Sequence, residues 1–238
     1  MKSYNLRVGQ NDPVYDSYSN TTISPSKTDQ ERDLGITITN DMKWHTQIKL
    51  AVNKANKAMG MLKRTFKNWD VRSFKTLYCS TVRPHLEYAS TAWSPYLKQD
   101  IKALERVQRQ ATKIVRKIKH LPYGQRLKAI GITRLSARRD RGDAIHYFKS
   151  KNDYNHIAWY HVNSATHSLE SSGPAGGKRG NSHRIIRQLI KRPARNNFFT
   201  NRVVNNWNSL PEQVIASMTV NSFTNLYDIH FMKANTLL

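Results

Sequence analysis

A strongly amphipathic basic segment spans residues 100–119 of this chain. When the segment is wound as an α-helix at about 100° per residue, its cations and its apolar residues fall on opposite sides, with mean directions roughly 170° apart. The basic side carries Lys102, Arg106, Arg109, Lys113 and Arg116, and the other side carries Ile101, Leu104, Gln108, Ala111, Ile114, Val115 and Ile118. The pattern predicts one helix from Asp100 to Lys119 that packs through one face and presents the other to an anion.

The charge of the chain indicates the class of that anion. The formal net charge is +23 and the sequence pI is about 10.3, and positions 98–151 hold 16 Lys plus Arg against 4 Asp plus Glu. Solvated helix faces usually mix both signs, so this balance favours RNA, DNA or an RNA/DNA hybrid as the partner. Two alternatives are a face that serves solubility alone and a membrane-surface or calmodulin-type helix. Gln108 and Ala111 make the apolar face thin for a membrane, so we expect no membrane partner.

Apolar periodicity predicts that the rest of the chain is also mainly α-helical. Apolar residues recur at intervals of three and four over 44–66, with a helix start near Asn40 or Asp41. Asp70 is a good cap for a second helix through Val82, which Pro84 should kink or restart. Two further helices are predicted over 123–130, closed by Gly131, and over 135–149. The polar side of the 44–66 helix adds four candidate nucleic-acid-binding residues, Lys54, Lys57, Lys63 and Arg64.

Composition divides the chain into four regions. Residues 1–43 hold short β-prone segments, a piece too small to be stable alone, which must pack on the helices or belong to a larger sheet. Residues 44–151 form a basic helical domain, residues 152–195 read as a flexible basic linker, and residues 196–238 form a C-terminal helical segment. The predicted strands are Tyr4–Val8, Tyr15–Tyr18 and Gly35–Thr39. The expected fold class is therefore mainly α, a helical bundle with a small N-terminal β portion.

Catalytic and metal-binding signatures are missing from the sequence. Cys79 is the only cysteine, which excludes an internal disulfide and a zinc site of paired cysteines, and we expect no disulfide-linked partner. There is no Tyr-x-Asp-Asp, P-loop or HExxH motif, and Asp140 and Asp143 are expected to form salt bridges within their own helix. No apolar run reaches the roughly 18 residues of a membrane span, and the first residues lack a secretion signal. These residues predict a nuclear or cytoplasmic binding module without a metal or cofactor.

Several strings of the chain resemble the region that follows the catalytic palm in reverse transcriptases of non-LTR (LINE-type, jockey-like) retrotransposons. In order, they are ERDLGITITNDMKWHTQI, NKANKAMGMLKRTF, LYCSTVRPHLEYASTAWSP and DIKALERVQRQATKIV. The resemblance continues through YGQRLKAIGITRLSARRDRGDAIHYFK and FFTNRVVNNWNSLPEQVIASMTVNSF. It covers most of the chain from Glu31 to Phe223, and no single string is a catalytic signature.

The resemblance implies a thumb-like role for the helical domain. In that family the first helices after the palm form the thumb, which packs against the template and the growing strand, and here residues 51–66 and 74–88 would take that place. The palm, with its catalytic Asp residues and Mg²⁺, would lie upstream of Met1, and residues 1–43 would be the remnant of its sheet. The expected protein is a truncated RNA-directed DNA polymerase fragment that is inactive alone and still binds nucleic acid. The alternative is a domesticated, non-enzymatic nuclear RNA- or DNA-binding protein.

Overall fold

The computed structural model describes residues 14–15, 22–23, 28–152, 154, 183–185, 187 and 189–236. These residues form a mainly helical fold with small antiparallel strand pairs at the N-terminus, which confirms the predicted fold class. Two pairs are present, β1 (Val14–Tyr15) with β2 (Thr22–Ile23), and β3 (Gln30–Asp33) with β4 (Ile36–Thr39). Of the predicted strands, β4 matches the one at 35–39 and β1 overlaps the one at 15–18 at Tyr15, while Tyr4–Val8 lies outside the described residues.

The β3–β4 hairpin is held against the first long helix, α1 (His45–Thr65). Its turn consists of Leu34 and Gly35, and both have positive φ, as two-residue hairpin turns of type I′ require. The Thr37 N–H donates to Gln47 Oε1 of α1 at 2.9 Å. The β3–β4 hairpin therefore packs on the helices, which is one of the two arrangements expected for this region.

The helix predicted over 44–66 is confirmed to within one residue at each end, but neither Asn40 nor Asp41 lies at its start. The helix begins after Trp44, which makes no capping bond through its side chain. Asp41 instead accepts from the Thr39 hydroxyl at 2.7 Å and from the Lys43 N–H at 3.0 Å, and thus closes a turn before the helix. Short polar side chains stabilise such turns as readily as helix starts, so sequence alone did not separate the two roles.

The first core is built by α1 and the helices that follow it. Asp70 caps α2 (Val71–Leu77) as predicted, accepting from the Ser73 N–H at 2.9 Å. A single π-helical turn, Tyr78–Val82, leads into α3 (Arg83–Glu87), where Pro84 lies in the first turn and needs no N–H partner. The short α4 (Ser90–Trp93) then ends at a fully buried tryptophan. The core includes Ile48, Ala55, Phe74, Tyr78, Leu86, Trp93 and Leu104.

The predicted single helix over 100–119 is wrong in its second half. The α-helix here, α5 (Lys98–Ala111), gives way to two 3₁₀ turns, Thr112–Ile114 and Arg116–Ile118, separated by Val115 in an extended conformation. Three β-branched residues, Thr112, Ile114 and Val115, disfavour continuation of the helix.

Arg126 completes the ending of α5. It donates to the Thr112 hydroxyl at 3.0 Å and to the carbonyl oxygen of Arg109 at 3.5 Å. The second bond occupies a backbone acceptor that is left over where the α-helix ends. The next helix, α6 (Tyr123–Ile130), ends as predicted at Gly131, whose φ is +71°.

The helix α7 (Leu135–Lys151) belongs to both cores of the protein. Leu135 is buried in the first core, whereas Ala144, Tyr147 and Phe148 are buried in a second core. That second core is completed by α9 (Phe199–Asn208), α10 (Glu212–Ile215) and α11 (Val220–Thr236). Its aromatic rings pack closely, with 4.3 Å between the ring centroids of Phe148 and Phe223.

Part of the region predicted to be a linker, residues 152–195, is packed against the second core or helical. Ile185 is buried in the second core, and α8 (Pro193–Asn196) precedes α9. Asn208 of α9 bonds both the N–H and the carbonyl oxygen of Ile185, each at 2.9 Å. Most of the predicted linker lies outside the described residues.

Candidate nucleic-acid interface

Three of the predicted cations form one exposed face of α5. Lys102, Arg106 and Arg109 are exposed, and helical winding of about 100° per residue places them within an arc of about 60°. Leu104, Gln108 and Ala111 are buried on the opposite side, as the sequence predicted. We call Lys102, Arg106 and Arg109 the α5 basic face.

Lys113 and Arg116 do not continue this face as helical neighbours. Both residues are exposed, but they lie on the two separate 3₁₀ turns that follow α5. The direction of Lys113 relative to Arg109 is therefore set by the first 3₁₀ turn, and that of Arg116 also by the extended Val115, rather than by the α-helical repeat. The predicted row of five cations on one helix is corrected to three on α5 and two beyond its end.

Arg109 lies against a tyrosine that belongs to a partly buried hydrogen-bond network. Its guanidinium carbon lies 4.7 Å from the centroid of the Tyr123 ring, a distance at which a cation is attracted to the ring face. The Tyr123 hydroxyl donates to Glu105 and accepts from Gln108 Nε2 at 3.0 Å. Burial is the main cause of a raised pKa of Tyr123, and the bond to Glu105 is the second, so its hydroxyl stays protonated. Tyr78 extends the network by donating to Gln108 Oε1 at 2.9 Å.

A second group of cations lies on the exposed face of α1. Lys54, Lys57 and Arg64 line one shallow depression of this face together with Leu50, Asn53, Asn56 and Gly60. Lys63 is exposed as well, but it follows Lys54 by nine residues, which places it about 180° away around the helix. The structure thus brings together three of the four predicted residues, and we call Lys54, Lys57 and Arg64 the α1 basic face.

The acidic residues of the helical region do not neutralise these faces. Positions 44–151 contain 25 Lys plus Arg and 6 Asp plus Glu, the acids being Asp70, Glu87, Asp100, Glu105, Asp140 and Asp143. Within the described residues, none of the nine candidate cations makes an ion pair. Positive charge without nearby acids produces a surface potential that attracts polyanions.

Five of the six acids are used inside the fold. Asp70 caps α2, and Glu105 accepts from Tyr123 and from the Leu135 N–H. Asp100, which is buried, bonds His45 at 2.9 Å. The remaining two acids form ion pairs. Glu87 pairs with Arg83 and Arg138, and Asp143 pairs with Arg202.

The expected salt bridge within α7 is therefore wrong for Asp143. Its carboxylate binds Arg202 of α9, with 2.7 Å between Oδ2 and Nε and 2.9 Å between Oδ1 and Nη2. Arg141 of α7 likewise pairs with Asp228 of α11 at 2.6 Å. These arginines hold the helices of the fold together and are not part of a free basic surface.

Sequence reasoning missed a group of cations around α8, because it assigned them to a linker. Arg187, Lys191 and Arg192 are exposed and Arg195 is half-buried. The signal that could have found them is compositional, since positions 171–211 contain no Asp or Glu.

Neither a metal site nor a membrane span is present in the part of the chain that the structure describes. That part contains no group of three or more His, Cys, Asp or Glu side chains placed to hold a metal ion. It also contains no helix with the length and apolar character that crossing a bilayer requires. Comparisons of the chain with known protein families, with curated proteins and with solved structures find no match.

Proposed function

We propose that this protein binds the sugar–phosphate backbone of nucleic-acid duplexes through the α5 basic face and the α1 basic face. The observation that carries the proposal is the separation of charge. Most acids of the helical region bond to partners inside the fold, while the nine candidate cations remain exposed. Lys and Arg side chains placed in this way bind phosphates without reading sequence.

The resemblance to non-LTR retrotransposon reverse transcriptases supports the same proposal from the sequence side. By this resemblance, the segments that form α1, α2 and α3 would correspond to the thumb, the part of such enzymes that holds the template and the growing strand. We therefore propose that the bound duplex is an RNA/DNA hybrid and that the described helices bind it without performing chemistry.

The experiment compares two variants of equal net charge in the full-length chain. In the first, Lys102, Arg106 and Arg109 are each replaced by Gln. The second variant is the matched control, in which Gln replaces Lys75, Lys119 and Lys128. These three lysines are exposed and lie outside the two faces. Fluorescence anisotropy of a labelled hybrid duplex at about 0.1 M salt measures Kd, where each phosphate contact contributes about tenfold.

The proposal expects the first variant to weaken binding by well over tenfold and the control to change Kd far less. Equal losses of affinity in the two variants would mean that only net charge matters, and the assigned surface would then be wrong. Binding that is undetectable for the wild-type chain would reject the proposed function altogether.

A further inference from the structure

The surface around α8 carries a group of cations that have no role in the proposed duplex binding. Positions 171–211 hold eight Lys plus Arg and no acid. Four of these cations lie in the described residues next to or within α8, and we call Arg187, Lys191, Arg192 and Arg195 the α8 basic surface. None of the four forms an ion pair within the described part of the chain.

The chain that carries this surface is anchored to the second core. Besides the two bonds between Asn208 and Ile185, the Trp207 Nε1–H donates to the carbonyl oxygen of His183 at 2.8 Å. Arg187 donates to Asn196 Oδ1 at 3.3 Å, which fixes this cation beside α8. A ligand of this surface would meet cations whose backbone positions are already set, and this lowers the entropic cost of binding.

An exposed aromatic ring adjoins the cations. Phe198 is 44% exposed, while the next residue, Phe199, is buried at 6% in the second core. The guanidinium carbon of Arg195 lies 5.3 Å from the centroid of the Phe198 ring. A ring next to a cation matches the chemistry of an unpaired nucleotide, because a base stacks on the ring and its phosphate meets the cation.

We propose that the α8 basic surface and Phe198 form a binding site for single-stranded nucleic acid. One base stacks on Phe198, and the phosphates on either side of it contact Arg192 and Arg195. The site is separate from the α5 and α1 basic faces and does not depend on their binding a duplex. A membrane is the less suitable partner, because α8 is only four residues long and provides no extended amphipathic helix to lie in a membrane interface.

The first test maps the site by photocrosslinking. A single-stranded oligoribonucleotide containing 5-iodouridine is irradiated with the full-length chain, and tryptic peptides are identified by mass spectrometry. The proposal expects a crosslink within residues 196–202, the peptide released by cleavage after Arg195 and Arg202, and expects Phe198→Leu to abolish it. Crosslinks confined to peptides of α1 and α5 would overturn the proposal.

The second test measures affinity for single strands of RNA and of DNA with the same sequence. Phe198→Leu, which retains an apolar side chain, is expected to raise Kd about fivefold or more, since it removes one base–ring stack. The double variant R192Q/R195Q should weaken binding by about tenfold per phosphate at about 0.1 M salt, compared with the control K119Q/K128Q. If the variants raise Kd equally for RNA and DNA, the site recognises base and phosphate. If they raise Kd more for RNA, the site also contacts the 2′-hydroxyl.

Two controls separate this proposal from the duplex-binding one. The α8 variants should leave affinity for the hybrid duplex within about twofold, whereas K102Q/R106Q/R109Q should leave the crosslink at Phe198 in place. Unchanged single-strand affinity in both α8 variants, with thermal unfolding as in the wild type, would refute the proposal. Unchanged single-strand affinity together with weakened binding to phosphatidylserine vesicles would also refute it and would assign the surface to a membrane.

Discussion

Replacing Arg202 by methionine is expected to destabilise the protein strongly, because this arginine joins three helices of the fold. Its guanidinium binds both carboxylate oxygens of Asp143 in α7 and donates to the carbonyl oxygens of Thr91 in α4 and Asn197 before α9. The side chains of the ion pair are 15% and 7% exposed. Methionine fills a similar volume, so the change removes the charge and its hydrogen bonds.

The magnitude follows from the burial of the partner. Removing one member of a buried ion pair costs about 3–5 kcal/mol, because the remaining charge stays desolvated without a partner. A typical domain has about 5–15 kcal/mol of total stability, so this change removes a large part of it.

Urea unfolding followed by circular dichroism measures the free energy of unfolding, with the double variant D143L/R202M as the comparison. The double variant should be more stable than R202M alone, because it leaves no buried charge unpaired. A cost below about 1 kcal/mol for R202M, the range of solvent-exposed pairs, would refute the reasoning.

Three further predictions concern single residues of the helical region. Gly131→Ala should lower stability by about 1–2 kcal/mol in thermal unfolding, because its φ of +71° is strained for a residue with a Cβ; an unchanged Tm would contradict this. Asp70→Ala should cost about 1 kcal/mol by removing the α2 cap, while Asp70→Ser should retain most of the stability; equal destabilisation by both changes would argue against the cap. Burial lowers the pKa of His146 below its ordinary value of 6.5, so the folded chain binds fewer protons than the unfolded chain and loses stability as the pH falls below about 6.5. His146→Gln should lose less stability between about pH 7 and 5.5 than the wild type does in urea unfolding, and parallel pH profiles would exclude this role.

The helices that sequence predicted well are those whose signals are local. The periodicity over 44–66 marks α1, Asp70 marks the start of α2, and Gly131 marks the end of α6. In each case the deciding residues lie within the helix or within one or two turns of its boundary. A reading of the chain in short windows therefore finds them.

The features that sequence missed depend on partners far along the chain. The end of α5 is completed by Arg126, fourteen residues beyond Thr112, and Asp143 pairs with Arg202, fifty-nine residues away. The strand β3 has the sequence QERD, whose four charged or polar side chains are all exposed, and it lacks the alternation of apolar residues that predicts a strand. Its pairing with β4 gives it the strand conformation.

The candidate interface was predictable in its composition and only partly in its geometry. Exposure of the α5 basic face follows from helical periodicity, and so does the separation of Lys63 from Lys54 by half a turn around α1. The directions of Lys113 and Arg116 did not follow, because the α-helix ends at Ala111 and the chain continues as two 3₁₀ turns on either side of an extended Val115. Of the five acids with partners in the fold, the cap formed by Asp70 was predicted, but the roles of the other four were not, since most of their partners are distant in sequence.

The salt dependence of hybrid-duplex binding tests the central claim most directly. Anisotropy titrations of the full-length chain between about 50 and 200 mM salt give the slope of log K against log salt, which reports how many phosphates the protein neutralises. The account predicts a steep negative slope for the wild type and, for K102Q/R106Q/R109Q, a slope reduced by about one unit for each phosphate that is no longer neutralised. The control K75Q/K119Q/K128Q should retain the wild-type slope. A slope that is the same in the wild type and in K102Q/R106Q/R109Q would contradict the account, because the α5 basic face would then bind no phosphates.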